Sequence, residues 1–194
     1  MNELEILTKL LESATSDPST VAKKLLDRFG TVLRLSEAEP ELISEACGDR
    51  TVAIFIKLAT ALASRRITDS FRVGKRYEES EIKRYLCALF LGSSVETVYM
   101  LSFDKDMKLI FVDYVCEGTV NALGILPRRL LDIAIKRKAS SVILAHNHPG
   151  GVAKPSDDDL VSTARIYNLF DASGIKAIAH YVVSDGECYK IDGE

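Results

Sequence analysis

Residues 142–160, "VILAHNHPGGVAKPSDDDL", combine several side chains that can bind a metal. An apolar run ends in His146 and His148, and a glycine turn leads to Pro-Ser and three aspartates. Side chains at positions i and i+2 of a strand point to the same side, so both imidazoles can reach one point. Imidazole is the commonest zinc ligand in proteins, and a carboxylate is a usual third ligand. The spacing therefore predicts a metal site.

The third ligand would come from the segment after the turn. If Ser156 is the N-cap of a helix, Asp159 is its third residue and lies over the helix start. Two histidines and one aspartate leave the fourth tetrahedral position open to water, which is typical of a catalytic rather than a structural zinc.

Each of these features also has a structural explanation. Ser156-x-x-Asp159 is close to a capping box, and acidic residues suit the start of any helix. A histidine at a strand end is often only a polar surface residue. Reading "HNH" as the nuclease motif of that name has little support, because that motif takes its letters from residues spread along a chain. The combination of all four parts favours a metal site over a capped helix alone.

Composition restricts the class of protein. The chain has 194 residues, 47% hydrophobic and 27% charged, as in ordinary globular proteins. It has no apolar run of the roughly 18–20 residues that span a bilayer, and "MNELEILTKL" lacks the basic start of a signal peptide. The four cysteines are scattered without a CxxC pair, which favours a reducing compartment. We expect a cytoplasmic protein with no membrane partner.

The elements that must position these residues fall into two parts. Residues 1–68 predict short helices, among them "ELEILTKLLES" and a segment that ends at Gly30. Residues 69–77 are polar and aperiodic, which predicts a linker. A helix over "EESEIKRYLCALFLG" follows, and from residue 96 the order is β-β-α-β-α-β-β. "SSVILAH" is the buried strand before the metal site. The predicted fold is an α-helical domain followed by an α+β or α/β domain.

The gapped pattern His146-x-His148, seven residues, Ser156-x-x-Asp159 matches the JAMM motif of the JAB/MPN metalloprotease fold. The words "ILAHNHPGG" and "KPSDDD" resemble the RadC branch of that fold. The resemblance extends through "SVETVYMLSFDKDMKLI" and "EGTVNALGILPRRLLDIAI", over about residues 78–191. It implies that residues 78–194 form a JAB/MPN-type mixed sheet flanked by helices, with cytidine-deaminase-like layering.

The resemblance also implies roles for individual residues. One Zn²⁺ per chain would be bound by His146, His148 and Asp159. Ser156 would donate a hydrogen bond to the oxyanion, and an upstream glutamate would be the general base. Glu96 is the matching glutamate, just before the first strand of the domain, and Glu117 is the alternative. The implied activity is zinc-dependent hydrolysis of an amide, peptide or isopeptide bond.

The chain departs from the usual RadC pattern at two places near the site. It has Pro149-Gly150-Gly151 where Pro-Ser-Gly is usual, from which we expect only a change in turn flexibility. It has Ala179 where an aspartate usually precedes His180. We therefore expect His180 to have a structural role, or at most to contact a metal ligand without binding the metal itself.

The N-terminal part resembles a degenerate helix-hairpin-helix, in which only Gly48 of the usual glycine turn remains. Residues 1–70 hold 9 Lys/Arg and 11 Asp/Glu, a poor charge balance for contacting phosphates. Two local basic clusters, residues 65–76 and 128–138, are typical of solvated helix faces. DNA binding is thus disfavoured, although a DNA-associated repair accessory protein and an inactive interaction module are the alternatives to a hydrolase.

An edge strand such as "ETVYMLSFD" predicts that the chain could form homo-oligomers.

Overall fold

The computed structural model describes residues 1–118 and 125–191. Residues 119–124, which belong to the segment "EGTVNALGILPRRLLDIAI" of the RadC resemblance, lie outside the described residues, as do residues 192–194.

The N-terminal part is helical, and the buried apolar residues of its helices form one hydrophobic cluster. Its helices are α1 (Glu3–Leu11), α2 (Pro18–Phe29), α3 (Val32–Glu37), α4 (Pro40–Cys47) and α5 (Arg50–Thr68). The short helix α3 was not expected from the sequence. It begins because the Thr31 hydroxyl accepts a hydrogen bond from the Arg34 backbone N–H, and Pro40 then starts α4 as a separate helix.

The remaining elements follow the predicted order. They are α6 (Glu79–Phe90), β1 (Thr97–Phe103), β2 (Leu109–Glu117), α7 (Ile125–Arg137), β3 (Ser141–Asn147), α8 (Asp157–Ala172), β4 (Lys176–Ser184) and β5 (Glu187–Ile191). None of the helices in the described ranges combines the length and hydropathy needed to cross a bilayer.

The five strands form one mixed sheet in the order β2-β1-β3-β4-β5. Only β3 and β4 are parallel, and the other neighbours are antiparallel. The proposal that "ETVYMLSFD" is an edge strand is wrong, because β1 pairs with β2 on one side and β3 on the other. Both sides of its backbone are therefore occupied, and a second copy could not pair with this strand.

Helices cover both faces of the sheet, as the JAB/MPN expectation requires. Residues of α6 pack with the sheet in one hydrophobic cluster, and residues of α7 and α8 pack with it in another. All seven residues of β3 are buried, which confirms that "SSVILAH" contains a buried strand. The candidate metal ligands thus lie at the end of the central strand, between covered layers.

Candidate metal centre

The candidate site lies where β3 ends and α8 begins. Strands β3 and β4 are parallel and joined by α8, so the carboxyl end of β3 and the N-terminus of α8 lie at the same edge of the sheet. His146 is the second-last residue of β3, and His148 is the first residue after the strand ends at Asn147. Asp159 is in the first turn of α8 and is almost completely buried.

The side chains of the three predicted ligands converge. The Nε2 atoms of His146 and His148 are 3.2 Å apart. An oxygen of the Asp159 carboxylate lies 3.2 Å from Nε2 of His146, and its other oxygen lies 3.3 Å from Nε2 of His148. Each histidine thus directs the same ring nitrogen toward the other and toward the carboxylate.

These distances suit a zinc ion. A tetrahedral zinc with nitrogen and oxygen ligands at about 2.0–2.1 Å requires ligand atoms about 3.3–3.4 Å apart. The three contacts between His146, His148 and Asp159 are close to this value. Two imidazole nitrogens whose lone pairs face each other at 3.2 Å repel each other. A cation bound by both lone pairs removes this repulsion. The residues present therefore fit the metal that the JAMM pattern implies.

Glu96 reaches the site through the register of the sheet. Val98 of β1 pairs with His146 of β3 in antiparallel fashion, so the chain before β1 runs beside the chain after β3. Continuing this register by two residues places Glu96 opposite His148. The ligand atoms of Glu96, His146 and His148 all lie within 4.8 Å of one another. The carboxylate 50 positions upstream in sequence is thereby brought beside the histidines.

Glu117, the alternative general base, has a different environment. Its side chain is exposed, and its carboxylate accepts a hydrogen bond of 3.4 Å from the Tyr114 hydroxyl. Among the described residues, the side chains whose ligand atoms all lie within 4.8 Å of one another are those of Glu96, His146 and His148; Glu117 is not one of them, and Asp159 contacts the two histidines without belonging to that group. The geometry therefore favours Glu96.

Ser156 is the N-cap of α8, and the capping box expected from the sequence is present. Its Oγ accepts a hydrogen bond from the Asp159 backbone N–H at 3.2 Å. The Ser156 hydroxyl donates to Oδ2 of Asp159 at 2.6 Å, and the Ser156 backbone N–H donates to the same oxygen at 2.7 Å. The capping box and the metal site thus share one carboxylate.

Asp159 is held in its ionised form. Burial on its own would raise the pKa of the Asp159 carboxyl. The contact with His146 and the hydrogen bonds from Ser156 outweigh burial, and the pKa lies well below its usual range. An ionised carboxylate is the form in which aspartate binds a metal.

A second set of buried groups lies behind His146. Nδ1 of His146 is 2.9 Å from Nε2 of His180, and Nδ1 of His180 is 2.7 Å from Oγ1 of Thr163. A structural or supporting role was predicted for His180 from the sequence, whereas Thr163 was not indicated. The available signal was its spacing, because Thr163 is four residues after Asp159 and so lies on the same face of α8.

The turn after His148 contacts the helical part of the chain. Gly150 has a φ of +65°, a conformation in which a serine, usual in RadC chains, would be strained. Its backbone N–H donates a hydrogen bond of 3.2 Å to the Glu37 carboxylate at the end of α3. The glycine therefore suits the backbone conformation of this turn, in which the backbone N–H of Gly150 reaches Glu37. Sequence patterns gave no indication of Glu37.

The five-stranded mixed sheet with helices on both faces is consistent with a JAB/MPN-type domain, and the candidate metal site lies at the end of its central strand. The family model described as "RadC-like JAB domain" matches residues 77–194, and the chain belongs to this family. It is 29% identical over 195 residues to a UPF0758 protein of Aliivibrio fischeri, covering 96% of this chain and 85% of the relative. A UPF0758 protein of Vibrio atlanticus is 28% identical over 191 residues, with the same coverage.

Proposed function

We propose that this protein is a zinc-dependent hydrolase of the JAMM type that cleaves an amide, peptide or isopeptide bond. The observation that carries this proposal is the set of contacts at 3.2–3.3 Å among His146, His148 and Asp159, with the Glu96 carboxylate beside the histidines. This arrangement provides three ligands and an adjacent base, which is what hydrolysis by an activated water requires.

The residues around the metal have separate tasks. A bound zinc ion would supply Lewis-acid chemistry, lowering the pKa of a water to about 7 and polarising the scissile carbonyl. The Glu96 carboxylate takes a proton from the attacking water as the new carbon–oxygen bond forms. Glu96 then passes that proton to the leaving nitrogen as the carbon–nitrogen bond breaks.

Ser156 is suited to stabilise the negative charge that develops on the carbonyl oxygen. Its hydroxyl is bonded to Oδ2 of Asp159 in the resting arrangement. Oδ2 also accepts from the Ser156 backbone N–H, so it keeps one hydrogen bond when the hydroxyl turns toward substrate. The hydroxyl is therefore available at a low energetic cost, as an oxyanion donor should be.

The first experiment measures bound metal by elemental analysis in protein purified without added metal. We expect about one zinc per chain in the wild type and a loss of zinc in His148→Ala and Asp159→Asn. Asp157→Asn is the matched control, because Asp157 lies on the same first turn but is exposed. A wild type that contains no metal and takes up none on titration with zinc would overturn the proposal.

Activity is tested next with a panel of amide and isopeptide substrates. Glu96→Gln should abolish hydrolysis while retaining zinc, because the base is lost but the ligands remain. Glu117→Gln should retain activity, since Glu117 is exposed and outside the described cluster. If Glu117→Gln were the inactive variant, the assignment of the base to Glu96 would be wrong. A zinc protein active on no such bond would instead support a binding module.

A further inference from the structure

The buried groups behind His146 form a continuous chain of hydrogen bonds that returns to a second metal ligand. The chain runs from Nδ1 of His146 to Nε2 of His180, and from Nδ1 of His180 to Oγ1 of Thr163. Oγ1 of Thr163 also lies 2.6 Å from the backbone carbonyl of Asp159. His146, His180 and Thr163 are each at most 3% exposed, so solvent does not compete for these bonds.

The direction of each hydrogen bond follows from the one fixed member of the chain. The Asp159 carbonyl oxygen can only accept, so the Thr163 hydroxyl must use its single hydrogen there. Oγ1 of Thr163 can then only accept from His180, and Nδ1 of His180 must carry a hydrogen. A neutral imidazole with a hydrogen on Nδ1 has a lone pair on Nε2.

That lone pair determines the state of His146. Because Nε2 of His180 accepts, Nδ1 of His146 must donate, and Nε2 of a neutral His146 is left with its lone pair. This is the nitrogen that faces His148 and Asp159. The neutral form of His180 that the chain requires suits its surroundings, because the ring is buried and its two nitrogens face a histidine and a hydroxyl.

We propose that Thr163 and His180 are positioning residues that hold His146 in the tautomer with a free Nε2 lone pair. The proposal rests on the function proposed above, in that a free Nε2 is what a metal needs. The same chain also links the two ligand-bearing elements, because Thr163 of α8 is bonded to His180, which is bonded in turn to His146 of β3. Partners of this kind outside the ligand set fix ring orientation and raise metal affinity.

The first test reads the tautomer directly in the metal-free protein. The chain has three histidines, so a long-range ¹H–¹⁵N correlation spectrum contains only three imidazoles. We expect a hydrogen on Nδ1 of both His146 and His180 and none on Nε2 of His180, whereas Nε2 of His146, which faces the Asp159 carboxylate, can carry a second hydrogen until a metal replaces it. In Thr163→Val, which removes the hydroxyl but keeps the side-chain shape, His146 should become a mixture of tautomers. A wild type with no hydrogen on Nδ1 of His146, or with a hydrogen on Nε2 of His180, would overturn the proposal, whether or not Thr163→Val folds.

The second test measures the dissociation constant for zinc by competition with a chelating indicator. Thr163→Val should weaken zinc binding about 10- to 100-fold, and Thr163→Ser, which restores the hydroxyl, should recover most of that loss. Thr60→Val is the matched control, because Thr60 makes a similar bond of 2.9 Å to the Ile56 carbonyl in α5. Equal zinc affinity in the wild type and in Thr163→Val would show that Thr163 has only a structural role.

The two tests separate this proposal from the proposed function. If the wild type binds no zinc but shows the expected tautomer, and Thr163→Val loses it, the hydrogen-bonded chain is correct and the zinc hydrolase is not. If the wild type binds zinc but His146 shows no preference between tautomers in the metal-free protein, the zinc site is correct and the hydrogen-bonded chain does not set the tautomer.

Discussion

The side chain of Asn147 holds the backbone on both sides of Glu96. Its Oδ1 accepts a hydrogen bond of 2.8 Å from the Thr97 N–H, and its Nδ2 donates one of 3.1 Å to the Val95 carbonyl. Asn147 lies between His146 and His148 and is only 4% exposed. The residue between the two histidine ligands therefore fixes the segment that carries the candidate base.

The first prediction concerns this clamp. Asn147→Leu has a similar size but leaves the Thr97 N–H and the Val95 carbonyl without these partners. We expect the free energy of unfolding to fall by about 1–3 kcal/mol, the cost of leaving a buried polar group unpaired. Because the ligands are unchanged, zinc content should stay at the wild-type level while hydrolysis is lost. Chemical denaturation and elemental analysis measure the two effects.

The matched control for Asn147→Leu is Asn168→Leu on the exposed face of α8. It should change stability by less than about 0.5 kcal/mol, as surface substitutions usually do. Loss of zinc together with loss of activity in Asn147→Leu would show that Asn147 supports the ligands rather than Glu96.

The second prediction concerns stabilisation by the metal. A ligand that binds only the folded state raises the free energy of unfolding by about 2.7 kcal/mol when its free concentration is about 100 times its Kd. We expect this increase for the wild type in zinc and its disappearance with a chelator. His148→Ala should show no response to zinc. Without zinc its free energy of unfolding should fall by about 0.5–3 kcal/mol, the usual range for a substitution, because the His148 side chain is only 24% exposed. A zinc response in His148→Ala as large as in the wild type would remove His148 from the ligand set.

The convergence of the candidate ligands could be predicted from sequence because its geometry is local. His146 and His148 are two residues apart on one strand, and Ser156 and Asp159 lie within one helical turn. Periods of two and 3.6 residues are enough to place such side chains on one side of an element. The joining of β3 and α8 by a short turn then brings both pairs together.

Other parts of the site depend on long-range packing that no local pattern encodes. Glu96 meets His148 only because β1 pairs with β3 in a particular antiparallel register. Thr163 meets His180 only because α8 packs on β4. The same limit explains the wrong placement of β1 at an edge, since strand order within a sheet is decided by pairing and not by the sequence of one strand. Glu96 was found through the family resemblance, whereas Thr163 was missed.

The third prediction separates the two tasks of Ser156. Ser156→Ala removes the N-cap, so the free energy of unfolding should fall by about 1 kcal/mol. Thr31→Ala removes the equivalent N-cap of α3 and should have a similar effect on stability. Only Ser156→Ala should also reduce kcat, by about 10²- to 10³-fold on a substrate found in the screen, as expected for an oxyanion donor. Zinc content should be unchanged in both. Equal kcat in the two variants would leave Ser156 as a helix cap alone.

The fourth prediction concerns the contact between the helical part and the metal-site turn. Burial raises the pKa of Glu37 above its ordinary value of 4.5, although the hydrogen bond from Gly150 acts in the opposite direction. The folded state therefore binds this proton more tightly than the unfolded state. The resulting stability is fully present below pH 4.5 and is lost as the pH rises through the folded pKa.

Glu37→Gln removes this dependence while keeping an oxygen that can accept from Gly150. We expect the stability of the wild type relative to Glu37→Gln to decrease as the pH rises from about 4 to about 7. Urea denaturation with a chelator present measures this, because metal binding then adds no pH dependence of its own. Glu39→Gln, at an exposed position two residues away, should show no such trend. A relative stability of Glu37→Gln that is constant with pH would mean that burial does not raise the pKa of Glu37 in the folded state.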